Sequence, residues 1–508
     1  MQARIRSIMG QIARAGALRT DIPARLDRLP WSRWHRVAAI ALGAVWAFNG
    51  AGVAVVAASG AVLLQPRGLG LSLLQVGYAA TIYLFGTLVG AVILGYEADG
   101  FGRRRLILIG AGIYAAGTLA TALSWGFWSF ALFRFLAGLG VGGQYVAIAS
   151  LVGELAPARW RGWASLSVDG GYWAGAVLGI GGSIALLNPS VLPVDLGWRV
   201  SFALALLPAL GILLLLRHVP ESPRWLMIRR GPGVAGALLG GIEQRIRQEE
   251  GLRELPRPAG TLVLRLERQL EPAVIPYIFL RLYPRRSAVT VFLVAAQAFV
   301  LNGIFFTYAL LLSRFYAIDP GTTGYYLVAL AAGSLLGIWL LGGLSDSLGR
   351  RPMIAGSYAL SGLLLALTGY FFSVGLLDPL TQSIAWAVVL FFAAAGAGGV
   401  RLSAAELFPL ELRGTSVGIL YGLGVAVGGL VGPALFAGLI DTGSSTRLFW
   451  EGYLVGAVLL LAAGLMEIAF GEEAARRPLE SVARPLLAEA PREQPAAPKR
   501  KKGRRRAA

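Results

Sequence analysis

The chain of 508 residues is 56% hydrophobic and only 14% charged. A soluble globule carries about 25% charged residues, so a polytopic membrane protein is the class expected. There is no cysteine, and the two histidines, His35 and His218, lie beside apolar runs rather than inside them. Disulfides, thiolate chemistry and a histidine metal site or proton relay within the membrane therefore drop out. The net charge of +19 is concentrated at the ends, with no nucleic-acid motif beside it.

In chain order, residues 1–36 hold eight arginines against two aspartates. They read as a basic cytoplasmic segment, because lysine and arginine mark that side of a membrane protein. About 36 residues before the first apolar run is too long a lead for a cleavable signal. Twelve stretches then approach the roughly 20 apolar residues that a bilayer core of about 30 Å requires. They lie near 37–64, 76–97, 106–124, 127–150, 163–187, 200–217, 288–312, 323–344, 353–374, 381–405, 415–439 and 448–470. The expected fold is an all-α membrane protein of two six-helix bundles, 37–217 and 288–470. Between them, 218–287 holds twelve arginines and seven glutamates and reads as a cytoplasmic, partly helical linker. The tail 471–508 ends in KRKKGRRR and holds eleven basic residues against five glutamates. It is expected to be cytoplasmic, disordered at its end and able to touch anionic lipid headgroups. The connections expected outside carry few arginines (Arg67, Arg199, Arg314 and Arg447), and the arginine clusters fall on the other side. Both termini are thus placed in the cytoplasm, and the protein in the plasma membrane.

The two halves repeat two motifs. Gly-xxx-Asp-xx-Gly-Arg-Arg occurs as Gly95, Asp99, Gly102, Arg103, Arg104 and again as Gly342, Asp346, Gly349, Arg350, Arg351. ELAPARWRG supplies Glu154 and Arg161, and ELFPLELRG supplies Glu406 and Arg413. Two bundles with the same loops in the same order are the signature of a duplicated transporter. The glycines permit tight helix contact and unusual backbone, while the aspartates can bond exposed helix N–H groups and attract the arginines. Arginine alone would fix topology, so the acids point to a charged inner gate. With RFLAGLGVGGQ (134–144), LGWR (196–199), PESPRWL (220–226) and EEAARRPLE (472–480), the chain resembles the major facilitator superfamily over nearly its whole length. Within it, the chain is similar to the sugar-porter and organic-ion or metabolite branches. The resemblance implies a 6+6 pseudo-symmetric fold and an inner gate of Asp99, Arg103, Arg104, Glu154, Arg161, Asp346, Arg350, Arg351, Glu406 and Arg413. In PESPRWL, Ser222 and Pro223 form a good N-cap and first-turn pair. Arg224 and Trp225 then belong either to a plain helix start or to that gate.

Transporters of this kind bind solute near mid-bilayer between the halves. At about 1.5 Å per residue, Gln144, Asp169, Gln297 and Asn302 could converge at one depth. The Gln297–Asn302 spacing resembles the hexose-binding amides of sugar porters, with Val300 where those have glycine. An ionisable group inside a membrane defaults to function, which singles out Asp169. A buried amide is as often interhelical glue. Arg401 could attract an anionic solute or pair with Glu406. Asn49, Trp46, Trp173 and Phe305 are possible cavity residues. The fourth-span Arg134 matches the arginine that neighbours a first-span aspartate in proton-driven sugar porters. Here the first span has no acid, and Asn49 is nearest to that place. Proton coupling would then fall to Asp169 with Arg134, or the protein is a uniporter. The chain is therefore read as a secondary active or facilitative transporter of a small polar solute, a sugar or small organic acid, working by alternating access. It is read as monomeric and without cofactor or metal. A transport-dead nutrient sensor and a drug or metabolite efflux pump are the rival readings. With no phosphate-cradling GxxxxGK[ST] loop and no nucleophile–base constellation, ATP-driven pumping and enzymatic catalysis are not expected.

Overall fold

The computed structural model describes residues 17–204, 211, 214–258, 260–265 and 272–486. The first sixteen residues, part of the sixth span and the basic end of the tail lie outside the described residues. Among the described residues, ten helices are long and apolar enough to cross a membrane: Arg33–Leu63, Leu73–Phe101, Arg103–Ala122, Phe127–Leu155, Pro284–Tyr316, Gly324–Ser347, Arg350–Ser373, Pro379–Glu406, Leu410–Asp441 and Ser445–Phe470. The fifth span, Arg161–Leu186, is as long, but its serines and Asp169 lower its hydropathy. The sixth is described over Val194–Leu204 and again at 214–216. The arrangement is the expected twelve-helix fold in two halves.

Most of the helices run past the apolar stretches that announce them. The second continues to Phe101, and the fourth and tenth end at Leu155 and Glu406. Asp99, Glu154 and Glu406 are therefore helical residues in last turns rather than loop residues, and only Gly102 separates the second helix from the third. Gly102 has φ 102°, and its repeat Gly349 has φ 106°, a left-handed region that glycine enters without strain. The halves use the same pairings. Spans two and four pack together as do eight and ten, and one and five as do seven and eleven. The approach is close enough to forbid side chains: a Cβ on Gly90 would sit 2.0 Å from the Leu139 carbonyl, and one on Gly337 would sit 1.9 Å from that of Phe391. Between halves, span two meets span eleven and span five meets span eight.

A small layer covers the charged end. β1 (Ala17–Thr20) pairs antiparallel with β2 (Leu262–Arg265), Ala17 opposite Arg265 and Thr20 opposite Leu262. The helix Ile22–Asp27 follows β1, and Arg25 and Arg28 hold Glu243 of the linker helix Pro232–Glu249 at 2.6 and 2.7 Å. The linker is thus tied to the segment before the first span. The expected helical linker also contributes one strand of a pair.

Candidate functional site

The charged rim is built from two equivalent copies of one arrangement. Asp99 accepts hydrogen bonds from the backbone N–H groups of Gly414 (3.2 Å) and Thr415 (2.8 Å) and from the Thr415 hydroxyl (2.7 Å). Asp346 accepts from the N–H groups of Gly162 (3.2 Å) and Trp163 (2.8 Å). Each aspartate therefore caps the first turn of a helix in the other half, where free N–H groups and the helix dipole favour an anion. Behind it, Arg103 spans Asp99 (2.9 Å) and Glu154 (3.0 Å), and Arg350 spans Asp346 (2.8 Å) and Glu406 (3.1 Å). Arg161 approaches Glu406 at 3.6 Å and Arg413 approaches Glu154 at 3.7 Å. All eight side chains are buried. Among these eight residues the ion pairs within a half are short and the two Arg–Glu pairs between halves are long. The bundles are preorganised, and the charge contact across the rim is looser.

Arg104 and Arg351 stand apart from this cluster. Arg104 Nε donates to the Leu216 carbonyl at 3.3 Å, and Arg351 donates to the Glu467 and Ile468 carbonyls. Both serve carbonyls at the end of a neighbouring helix, which lack partners of their own. Their backbone N–H groups, with those of Arg103 and Arg350, are bonded by Glu221 and Glu473 respectively. Arg224 sits at the middle, 3.0 Å from both Asp27 and Glu480, and donates to the Glu154 carbonyl at 2.6 Å. Asp27 also pairs with Arg161 at 3.2 Å. Burial alone would raise the Glu480 carboxyl, but Arg224 and Arg413 outweigh it and hold the group below its ordinary value. Trp225 Nε1 and Arg229 Nε both donate to the Asp99 carbonyl, at 2.9 and 2.8 Å. The PESPRWL helix starts on its Ser222 cap, and it is also part of the rim.

Asp27, Glu221, Glu473 and Glu480 lie outside the two repeated motifs. A signal existed for two of them. Residues 221 and 473 are 473 − 221 = 252 apart, the separation of Glu154 from Glu406 and of Arg161 from Arg413. Arg224 and Arg476 are also 252 apart. The words PES and EEA hide that third repeat, because only the glutamate keeps its role: Arg224 is buried, whereas Arg476 is exposed.

Between the halves lies a cavity of about 80 Å³, walled by aromatic rings and by Gln297, Asn302 and Arg401. Tyr145 stacks on Tyr421 from the other half with ring centroids 4.1 Å apart. Trp46 lies 5.7 Å from Tyr145 and 5.3 Å from Tyr172, and Trp173 meets Phe305 edge-on at 5.5 Å. Arg401 Nε donates to Asp169 Oδ2 at 2.9 Å, so a cation of the tenth span holds an anion of the fifth across the interface. Glu406, the partner weighed for Arg401 in the sequence, is taken by Arg350. Gln144 does not line the cavity. It is fully buried, accepts from Asn49 Nδ2 at 2.6 Å and donates to the Ile107 carbonyl at 3.2 Å, joining spans one, three and four. Arg134 is not brought to Asp169. It lies fully buried under the Tyr83 ring, 4.4 Å from its centroid, and none of its nitrogens has a hydrogen-bond partner. Among the described residues no group of acids and histidines has metal-site geometry.

Comparison with known proteins agrees with this architecture. The family model described as "Sugar (and other) transporter" matches residues 46–484. The niacin transporter NiaP of Acinetobacter baylyi is 26% identical over 471 residues, covering 91% of this chain and 99% of its own. Polyol transporter 5 of Arabidopsis thaliana is 27% identical over 400 residues, 71% of each chain. The solved structure of the proton:xylose symporter XylE bound to 6-bromo-6-deoxy-D-glucose superposes with a TM-score of 0.71 at 19% identity, covering 88% of this chain and 98% of that one. The inward-open form of XylE from E. coli superposes at 0.59. The fold, the duplicated rim and the match over most of the length place the chain in the sugar (and other) transporter family, whose members move small solutes across membranes.

Proposed function

We propose that this transporter carries a small cyclic monocarboxylate, with Arg401 as the carboxylate receptor and the rings of Trp46, Tyr145, Tyr172 and Tyr421 as the cage. The observation that carries this reading is the Arg401–Asp169 pair at the wall of an aromatic cavity. A sugar needs only neutral donors and acceptors, whereas a guanidinium presents a fixed fork of donors suited to a carboxylate. A substrate carboxylate competes with Asp169 for Arg401. Displaced from its cation, Asp169 becomes the group able to take a proton, which couples anion entry to proton entry. Arg134 has no acid to exchange with, so the second expected coupling site is silent. The niacin transporter and the probable 4-methylmuconolactone transporter of Cupriavidus pinatubonensis, 26% identical over 435 residues, fit this substrate class by their names. The rim works as the inner gate, closed in this pose, with both termini cytoplasmic in the plasma membrane and no enzymatic step.

The cavity position of Gln297 and Asn302 favours a second reading, a sugar or polyol. Counterflow in proteoliposomes separates the two. Aromatic monocarboxylates are expected to exchange while hexoses and polyols do not, and Asp169→Asn is expected to keep exchange but lose accumulation driven by a pH gradient. Exchange of hexoses alone overturns the first reading. No exchange of any solute would favour a sensor.

A further inference from the structure

Outside the solute path, a trench of about 630 Å³ runs down the membrane-facing surface where spans one, five and eight meet. Its floor is backbone. The first and fifth helices touch through Gly43 and Gly171, where an added Cβ on Gly171 would lie 2.3 Å from the Gly43 carbonyl, and Ala44 and Ala47 leave the trench open beside this contact. One wall is Trp339 from the other half, packed so closely that a Cβ on Gly170 would come 2.0 Å from its indole nitrogen. From Arg36 to Ala47 the trench follows eleven residues, about 16 Å at 1.5 Å per residue, close to one leaflet of a hydrocarbon core of about 30 Å. At the charged-rim end stand Trp31 and Trp163, with ring centroids 5.3 Å apart, and the exposed Arg36. Among the described residues Arg36 has no ion pair. Tryptophan and arginine are the residues that anchor at headgroup depth.

We propose that this trench binds one anionic phospholipid of the leaflet on the rim side, an acyl chain along Ala44 and Ala47 and the phosphate on Arg36. Two features separate it from ordinary lipid-facing surface: it is concave over the length of a leaflet, and the one charged residue in its lining is Arg36, an exposed cation. Its walls come from both halves, so the site is complete only while spans five and eight stay together. The bound lipid therefore favours the closed rim.

Native mass spectrometry of the full chain, titrated with dioleoyl phosphatidylglycerol or dioleoyl phosphatidylcholine, tests the site. One phosphatidylglycerol is expected to remain bound where phosphatidylcholine does not. Its affinity should fall about tenfold in Arg36→Gln, persist in Arg36→Lys, and be lost in Ala44→Phe, which fills the trench without changing charge. Equal retention of both lipids, or wild-type occupancy in both Arg36→Gln and Ala44→Phe, overturns the proposal. Since Arg36 is exposed, its variants keep the test valid even if Ala44→Phe misfolds. Because the chain lacks cysteine, a single Ser403→Cys, buried in the tenth helix near Glu406, reports rim opening by maleimide labelling. Labelling should be severalfold slower in vesicles containing 30% phosphatidylglycerol than in pure phosphatidylcholine, and Arg36→Gln should erase the difference. Equal rates in wild type overturn the link to the closed rim.

Discussion

Asp169 and Arg401 belong to different halves, yet each solves the other's problem. A lone charge at that depth would be costly, and the 2.9 Å pair offsets the cost while leaving Arg401 on the cavity wall. If Arg401 receives a carboxylate, losing a charge-assisted bond worth about 2 kcal/mol corresponds to about thirtyfold weaker binding. Arg401→Gln should raise the transport KM for a monocarboxylate by that order, measured as initial uptake rates in proteoliposomes. Gln144 should behave otherwise. It joins three helices through buried bonds and does not touch the cavity. Gln144→Ala strands the Asn49 amide and is expected to cost about 1–3 kcal/mol of stability. It should lower the melting temperature and leave KM near wild type. A raised KM at unchanged stability would put Gln144 back in the binding site. Gln144 and the cavity-lining Gln297 look alike in the sequence, because depth along a helix says nothing about which way a side chain faces.

Elements of the rim act on one another through their ends. Glu221 and Glu473 cap the third and ninth helices from outside those helices, and the PESPRWL helix bonds the last turn of the second. Glu480 is held below its ordinary value chiefly by Arg224. A carboxyl with a depressed folded-state value contributes stability above its unfolded value and loses it as pH falls through the folded one. Closure by Arg224 and Glu480 should thus be constant through neutral and mildly acid pH and fail only below the usual glutamate range. The pH profile of Ser403→Cys labelling would show it, and a transition near pH 7 would contradict the assignment. At the second–fourth helix contact, Gly90→Val would drive a branched side chain into the Leu139 carbonyl, 2.0 Å from its Cβ. Loss of folded protein by size-exclusion chromatography is expected, with Gly112→Val, in open space, as the tolerated control. The repeat motifs made the helix ends legible, but the reach of the helices past the apolar runs was not. Hydropathy stops at the bilayer, whereas backbone hydrogen bonding continues wherever the rim satisfies the charges.

At the scale of the whole molecule the rim is one device used twice. Asp99 and Asp346 each cap a helix of the opposite bundle, so opening the rim breaks both sets of contacts together. Removing one charge from a buried pair costs about 3 kcal/mol, a shift of about a hundredfold between closed and open poses. Asp99→Asn and Asp346→Asn should each speed Ser403→Cys labelling by a similar factor, and the double variant should add little once the rim is open. Strongly unequal effects would show that the two copies have diverged in function. The sequence by itself determined the membrane class, the duplication and eight of the charged residues that meet at the rim, because apolar run length, charge placement and repeated words are properties of the chain taken in order. Tertiary structure decided which polar groups face the cavity, that Arg401 takes Asp169 rather than Glu406, that Arg134 stays without an acid, and that Arg224 gathers acids from both ends of the chain. Those outcomes depend on how each helix is turned about its axis and which bundle it meets. With 3.6 residues per turn, neighbouring positions point in different directions, and only packing between the halves fixes which of them meet.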